Sequence, residues 1–313
     1  MKSEVVNFIA HARLKDIVGR GLINDDNVAI IELIKNSKDA GSSSVDIYFE
    51  DAKTIDDDSV LTIQDFGQGM SEEDIRYKWL NIAYSDKKNA TAKGGGAYAG
   101  NKGIGRFSCD RLGKKLELYT RARGQELICL EIDWTKFEVD DRDKQIGQIK
   151  SRIRSVTDKE FTEETGLEKF SIGTTLFIRD LRSAWPKAKL VKLRKELERF
   201  VIDPKGNFSV VLTAEDYLDD KSLNGEVQNK IFEELSFRTT SINATISPNG
   251  KKTTITLCHD GDEVFHIIEK TPYENLRNIR ATIFFLNQPA KSYFKRNTGY
   301  HSVEFGSIFF FLN

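Results

Sequence analysis

Residues 26–40, DNVAIIELIKNSKDA, predict a helix with one apolar face and one polar face. An aspartate at position 25 or 26 is a suitable N-cap, and Gly41 follows the end of the helix. The apolar face predicts that this helix packs on a sheet. Its members are Ile30, Ile31, Leu33 and Ile34.

The polar face of this helix carries three oxygen-bearing side chains. Glu32, Asn36 and Asp39 are spaced i, i+4 and i+7, so they share one side of the helix. Mg²⁺ takes oxygen ligands and retains water molecules, one of which a nearby carboxylate can activate. The face therefore predicts either a magnesium site with an activated water or an ordinary solvated helix surface.

A carboxylate ends the second predicted strand. In the segment DFGQGM, at positions 65–70, Asp65 can accept a hydrogen bond from an exocyclic amine. Gly67 and Gly69 would let a planar ring approach the backbone. The alternative is an ordinary turn between a strand and a helix.

Glycine is concentrated in one short segment. Of the 22 glycines in 313 residues, six lie between positions 94 and 105. The segment ends in GNKGIGR (100–106) before a predicted helix, where free backbone N–H groups bind anions, and Lys102 and Arg106 add positive charge. The spacing is neither a Walker A motif nor a Rossmann fingerprint, so alone it is a weak signal for phosphate.

A fourth signal is Gly173-Thr174 at the start of a later predicted strand, where the threonine hydroxyl could support an adenine through water. In order, Glu-x3-Asn-x2-Asp-Ala, Asp-x-Gly-x-Gly-Met, a GxxGxG ending and Gly-Thr resemble the GHKL ATPases. That superfamily comprises gyrase-type topoisomerases, Hsp90 chaperones, histidine kinases and MutL, with the MORC proteins close by. The resemblance implies the Bergerat fold, a two-layer α/β sandwich, followed by a smaller α+β transducer-like domain.

The resemblance assigns a role to each matching residue. It implies that Glu32 is the general base for the attacking water, that Asn36 is the Mg²⁺ ligand, and that Asp65 reads the adenine. The other residues implied to bind MgATP are Asp39, Ala40, Gly67, Gly69, Met70, Gly100, Asn101, Lys102, Gly103, Ile104, Gly105, Arg106 and Thr174.

Two features refine the resemblance. Residues 32–40 (ELIKNSKDA) and 82–85 (IAYS) are similar to the Hsp90 form, whereas GNKGIG is closer to type II topoisomerases and MutL. Tyr84 stands where Hsp90 has a basic residue, so the charge that stabilises the phosphates must come from elsewhere. We predict Lys102 as this catalytic cation. The further candidates are Lys87 and Arg106.

The predicted organisation has three parts: an ATP-binding domain (1–185), a connecting amphipathic helix (186–202) and a transducer-like domain (203–313). Because the apolar run 306–312 predicts a strand at the very end, we expect the natural protein to continue. The predicted strands of the first domain are Val45–Glu50, Val60–Gln64, Leu116–Arg121, Leu127–Ile132 and Thr175–Ile178.

The second domain is predicted from short strands and a turn, not from a motif. Pro248-Asn249-Gly250 predicts a hairpin turn. In related transducers a cation reaches the γ-phosphate. The candidates lie in a predicted basic loop, namely Lys291, Lys295 and Arg296.

Histidine kinases are set aside, because too few residues precede Asn36 to hold their phosphoacceptor hairpin.

Composition excludes other classes. A net charge of −1 and 39% hydrophobic residues indicate a core-forming chain. Three scattered cysteines are too few for a disulfide framework, and no CxxC pair indicates a zinc site. With no signal peptide and no apolar run of about 20 residues, we expect a cytoplasmic protein that does not cross a membrane.

Positive charge is concentrated at 102–123 and 182–199, each with seven Lys or Arg against two acids. Either cluster is a solvated face with phosphate ligands or a surface for nucleic acid. The resemblance implies an Mg²⁺-dependent ATPase whose lid closure drives formation of an ATP-dependent homodimer. The alternatives are an ATP-gated clamp on DNA or a protein partner, and an Hsp90-like chaperone.

Overall fold

The fold is taken from a computed structural model of the chain. The described residues are 23, 25–81, 108–138, 150–168, 170–201, 208–227, 239–271, 275–298 and 301. Two compact units divide the chain between Gln228 and Asn229.

The first unit is built on an eight-stranded mixed sheet with the order β5-β4-β3-β6-β2-β1-β7-β8. Every neighbouring pair is antiparallel except β1 and β7, which run parallel. The strands are β1 (Ser44–Glu50), β2 (Val60–Asp65), β3 (Gly113–Arg121), β4 (Leu127–Asp133), β5 (Arg152–Val156), β6 (Gly173–Leu181), β7 (Ser209–Ala214) and β8 (Gly225–Glu226).

The described α-helices of this unit, apart from a three-residue one, supply side chains to two apolar cores, which lie against the strands. They are α1 (Asp26–Asp39), α2 (Glu72–Asp74), α3 (Ser108–Leu112), α4 (Asp158–Thr165) and α5 (Lys187–Phe200). Ile30 and Ile34 of α1 are fully buried in the larger core, together with Leu193 of α5 and Ile63 of β2. The smaller core surrounds Phe161 of α4. This arrangement confirms the predicted two-layer α/β fold.

Helix α1 matches its prediction closely. Asp25 is the N-cap, and its side chain accepts a hydrogen bond from the backbone N–H of Asn27. Ile31 is only partly buried, whereas Ala29 is fully buried and joins the apolar face.

Two other predicted helices differ from the structure. Residues 72–83 have a composition that favours a helix, but in the structure they form a short α-helix, Glu72–Asp74, that continues as a π-helical turn over Ile75–Trp79. The helix predicted to start at Gly105 is described only as Ser108–Leu112, and residues 105–107 lie outside the described part of the chain.

The division between the units lies later than the predicted start of the second domain at 203. Strand β7 pairs with β1, and Val210 and Leu212 of β7 are fully buried in the core of the first unit. Residues 209–227 therefore belong to the first sheet. Helix α5, predicted as a connector, is also part of this core, because Leu190, Leu193 and Leu197 are buried in it.

The second unit contains a four-stranded antiparallel sheet in the order β11-β10-β9-β12. Its described elements are β9 (Thr240–Ile246), β10 (Lys252–His259), β11 (Asp262–Lys270), β12 (Ile279–Phe285) and α6 (Gln288–Thr298). Gly250, with φ +72°, turns the predicted hairpin between β9 and β10. The predicted basic loop is wrong: Lys291, Lys295 and Arg296 lie on α6.

Candidate functional site

Three polar residues form a row at one end of the strands β2, β6 and β3, which are neighbours in the first sheet. Asp65 at the end of β2 faces Thr174 at the start of β6, and Thr174 faces Thr120 near the end of β3. The row is assembled by strand register from parts of the chain that are more than 50 residues apart.

Asp65 is the carboxylate of this row. Its Oδ1 accepts hydrogen bonds from the backbone N–H groups of Gly67 at 3.0 Å and Thr174 at 3.2 Å. Burial raises the pKa of Asp65, and hydrogen bonds from Gly67, Thr174 and the Ser37 hydroxyl partly offset this rise. A carboxylate with these partners is a fixed acceptor in a partly buried position.

Thr120 is a site residue that sequence reasoning missed. It is fully buried, accepts a hydrogen bond from the Met70 N–H at 2.9 Å, and donates to the Gly173 carbonyl at 3.0 Å. Its Oγ1 lies 3.1 Å from that of Thr174. The available signal is a threonine at the end of the apolar strand LELYT, but its partners depend on the register with β6.

The glycines of this region make room for the protein's own backbone. Gly69 has φ +65°, and a Cβ added there would lie 2.1 Å from the Arg121 carbonyl oxygen. A Cβ added at Gly67 would lie 2.8 Å from the Ala40 carbonyl oxygen. The sequence interpretation assigned both glycines to the approach of a planar ring. In the structure their contacts are with β3 and with the end of α1.

The end of α1 is joined directly to the Asp65 segment. The Gln68 N–H donates to the Ala40 carbonyl at 2.9 Å. The Ser37 hydroxyl, which donates to the Leu33 carbonyl at 3.3 Å, also lies close enough to Asp65 to lower its pKa. The second residue that sequence reasoning missed is therefore Ser37, which is buried on the side of α1 that faces the sheet. These bonds hold the polar face of α1 beside the row.

On that polar face, Glu32 forms an ion pair with Lys35, at 2.7 Å between Oε1 and Nζ. Both side chains are about one-third exposed, at 31% and 29%. Asn36 is exposed and Asp39 is partly buried. Across the described residues no group of three His, Cys, Asp or Glu side chains is placed to hold a metal ion. A single amide ligand with retained waters still suits Mg²⁺.

The glycine-rich segment of the predicted site lies outside the residues that the structure describes. Gly100–Arg106, with Lys102, and the further candidate Lys87 lie outside the described residues, as does Tyr84. Their predicted roles toward phosphate stay predictions.

In the described helices no segment is long and apolar enough to cross a membrane.

Comparison with known proteins agrees with this geometry. Residues 24–174 match the family model described as histidine kinase-, DNA gyrase B-, and HSP90-like ATPase. Over the residues that it covers, this match confirms the resemblance to the GHKL superfamily that the motifs indicate. Within that superfamily the chain is similar to heat shock protein 75 kDa, mitochondrial, of Bos taurus, with 32% identity over 127 residues. The match covers 35% of this chain and 18% of that relative.

Proposed function

We propose that this protein binds MgATP at the junction of α1 with the Asp65 row and hydrolyses it. The observation that carries the proposal is the enclosed Asp65 carboxylate, held by Gly67 and Thr174 and joined to the end of α1. A fixed, buried acceptor suits an exocyclic amine, because an amine donor compensates a carboxylate removed from water.

Each residue has a role in this proposal. Thr174 and Thr120 support the base beside Asp65, and Met70, whose N–H is fixed by Thr120, lines it. Asn36 would hold the Mg²⁺, which neutralises phosphate charge when bound. Glu32, one turn earlier on the same face, accepts a proton from the attacking water. Asp39, Ala40 and the 100–106 segment complete the proposed site.

Lys35 affects how Glu32 accepts a proton from the attacking water. In the structure its ammonium group occupies one carboxylate oxygen of Glu32. The pair is partly exposed and therefore contributes little stability, so it can open at small cost when the nucleotide arrives. We infer that Glu32 becomes an effective base after this exchange.

We further propose that nucleotide binding closes the glycine-rich segment and drives homodimerisation. The support for this coupling is the resemblance of the motifs to the GHKL ATPases, with which the family match over residues 24–174 agrees. A chaperone role would need a client surface, which that partial similarity does not supply.

The basic clusters do not favour a clamp on DNA. In the described structure their cations are largely engaged in ion pairs, which leaves little free positive surface for phosphate backbones. These pairs join Arg111 to Asp26, Lys115 to Asp180, Arg121 to Asp158, Arg182 to Asp110, Lys187 to Asp220 and Lys189 to Asp26.

The test is a comparison of ATP binding with ATP hydrolysis in Glu32→Ala. We expect hydrolysis to fall by roughly 100-fold or more, because general-base catalysis contributes about that factor. Binding of ATP, measured by calorimetry, should stay within a few-fold of the unsubstituted protein.

A matched control is Glu72→Ala. It removes an exposed carboxylate of α2 that is paired with Arg76 in the following π-helical turn. It should leave both quantities unchanged. Normal hydrolysis by Glu32→Ala would contradict the assignment of the base, and absence of ATP binding by the unsubstituted chain would contradict the proposed function itself.

A further inference from the structure

The sheet of the second unit has one apolar face that extends across all four strands. Register places Phe265, Leu257, Ile242 and Ile283 in one row, because each is directly opposite the next in the antiparallel sheet. Directly opposite residues share a face, so these side chains form one continuous strip. A second row, which contains Ile267 and Ile255, lies beside it.

This face is exposed to solvent. The exposed fraction is 56% for Phe265, 62% for Ile283 and 67% for Phe285. Leu257 and Ile255, in the central strand β10, are only partly buried. Single exposed apolar residues are ordinary, but a contiguous apolar patch of several hundred Å² marks an interaction surface.

The opposite face of the same sheet is mixed, because it carries Phe284 and Ile268 as well as several hydroxyl side chains. Ser241 and Thr256 point to that side, as does Thr282 of β12, whose hydroxyl donates to the Asn243 side chain at 2.9 Å. An antiparallel sheet with one solvated face normally exposes its polar side. Here a continuous apolar side is exposed, which favours a partner that covers it.

The size of the apolar face fits another sheet of the same kind. Four strands about 4.8 Å apart and about seven residues long project roughly 450 Å². The solvent-accessible area of the side chains is larger than this projected area. The area that each copy could bury therefore approaches the roughly 600–800 Å² per partner of stable interfaces.

We propose that this face binds the same face of a second copy of the chain, as two sheets packed about a two-fold axis. Such an interface is isologous, which means that both copies use the same patch. Once the dimer has formed, neither copy has an exposed patch left to bind a third copy. The two rows described carry no charge, so face-to-face packing leaves no unpaired ion between the sheets. This dimer forms without nucleotide and is separate from the ATP-driven dimer proposed above.

The test is the mass of the full chain in solution without nucleotide, measured by analytical ultracentrifugation at micromolar concentrations. We expect a dimer that Ile283→Glu weakens by roughly 100-fold or more, because two carboxylates would be buried without partners. The matched control is Thr282→Glu, which places the same charge one residue away on the opposite face. It should leave the dimer intact.

Circular dichroism and thermal unfolding establish that each variant is folded. If Ile283→Glu does not fold, Phe285→Glu serves instead, because this residue lies on the same face at the end of β12 and is two-thirds exposed. A monomer without nucleotide, a dimer that forms only with ATP, or equal dimerisation of the Ile283 and Thr282 variants would each overturn the inference. None of these results would bear on ATP binding at Asp65.

Discussion

At the scale of single residues, Asp65 lies where an ionised group is least stable. Burial raises the pKa of its carboxyl group, although hydrogen bonds from Gly67, Ser37 and Thr174 oppose the rise. A raised pKa in the folded protein means that ionisation of this group costs folding free energy. The cost is complete at neutral pH and disappears as the pH falls through the raised value towards the ordinary 3.8.

Asp65→Asn should therefore separate stability from binding. The amide oxygen can still accept from the N–H groups of Gly67 and Thr174, while the buried charge is removed. We expect stability in urea to be equal or higher at pH 7, with this difference vanishing near pH 3. ATP affinity should fall by about 10- to 100-fold, because an acceptor is replaced by a donor. Calorimetry that shows unchanged affinity would contradict the proposed role.

The sequence predicts some residues of the site and omits others for a physical reason. Asp65 and Thr174 lie in local motifs, so their residue types and neighbours are sufficient to single them out. Thr120 and Ser37 acquire their partners only through strand register and helix packing. No local pattern specifies those contacts.

At the scale of an element, the start of α1 is fixed by a buried ionic cluster. Asp26, with 10% of its side chain exposed, accepts from Arg111 of α3 at 2.7 Å and from Lys189 of α5. Ser183 donates to the same carboxylate at 2.7 Å. Burial acts to raise the pKa of Asp26, but these partners outweigh it and the pKa is lowered. One carboxylate thus joins three helices of the first unit.

Asp26→Asn should destabilise the protein in a pH-dependent manner. A lowered pKa contributes stability above the ordinary value of 3.8, and this contribution is lost as the pH falls through the lowered value. We expect a loss of about 3 kcal/mol at pH 7, because the cations of a buried cluster lose their partner, and a smaller loss at pH 3.

Urea unfolding at the two pH values measures this difference. Asp158→Asn is the control, because it removes an ion pair with Arg121 that is more exposed and worth no more than about 1 kcal/mol. An equal effect of the Asp26 and Asp158 substitutions at pH 7 would argue against the cluster.

The elements differ in how well local patterns predict them. Helix α1 and strands β1 to β3 combine strong periodicity with clear ends, and their predicted bounds agree within a few residues. The segment 72–83 also has helical composition, but Leu80 bonds back to the Ile75 carbonyl and closes a π-helical turn. Strand β5, RIRSV, was not predicted, because its charged residues mask the short apolar pattern.

At the scale of the whole molecule, the boundary between the units determines which fragments fold. Residues 208–227 add β7 and β8 to the first sheet and bury Phe208, Val210 and Leu212. The sequence did not reveal this, because the parallel pairing of β7 with β1 joins segments more than 150 residues apart. Parallel pairing needs a long crossover, here through α5, and leaves no local turn signal.

A chain that ends after Gln228 should fold, whereas one that ends after Asp203 should not. The shorter chain loses several buried apolar side chains, each worth roughly 2 kcal/mol, from a domain whose net stability is about 5–15 kcal/mol. Thermal unfolding followed by circular dichroism compares them. A cooperative transition at the same temperature for both fragments would show that β7 is dispensable.

Strand β6 has a consequence for the order in which the chain acquires structure. It lies between β3 and β2, so the two halves of the sheet cannot join until residues 173–181 have been synthesised. Until then, pairing of β1 with β2 leaves the edge of β2 open, and pairing of β3 with β4 leaves the edge of β3 open. Insertion of β6 closes both edges in one step and brings Thr174 to Asp65 at the same moment. Nucleotide binding by a nascent chain would therefore report the completion of the central sheet.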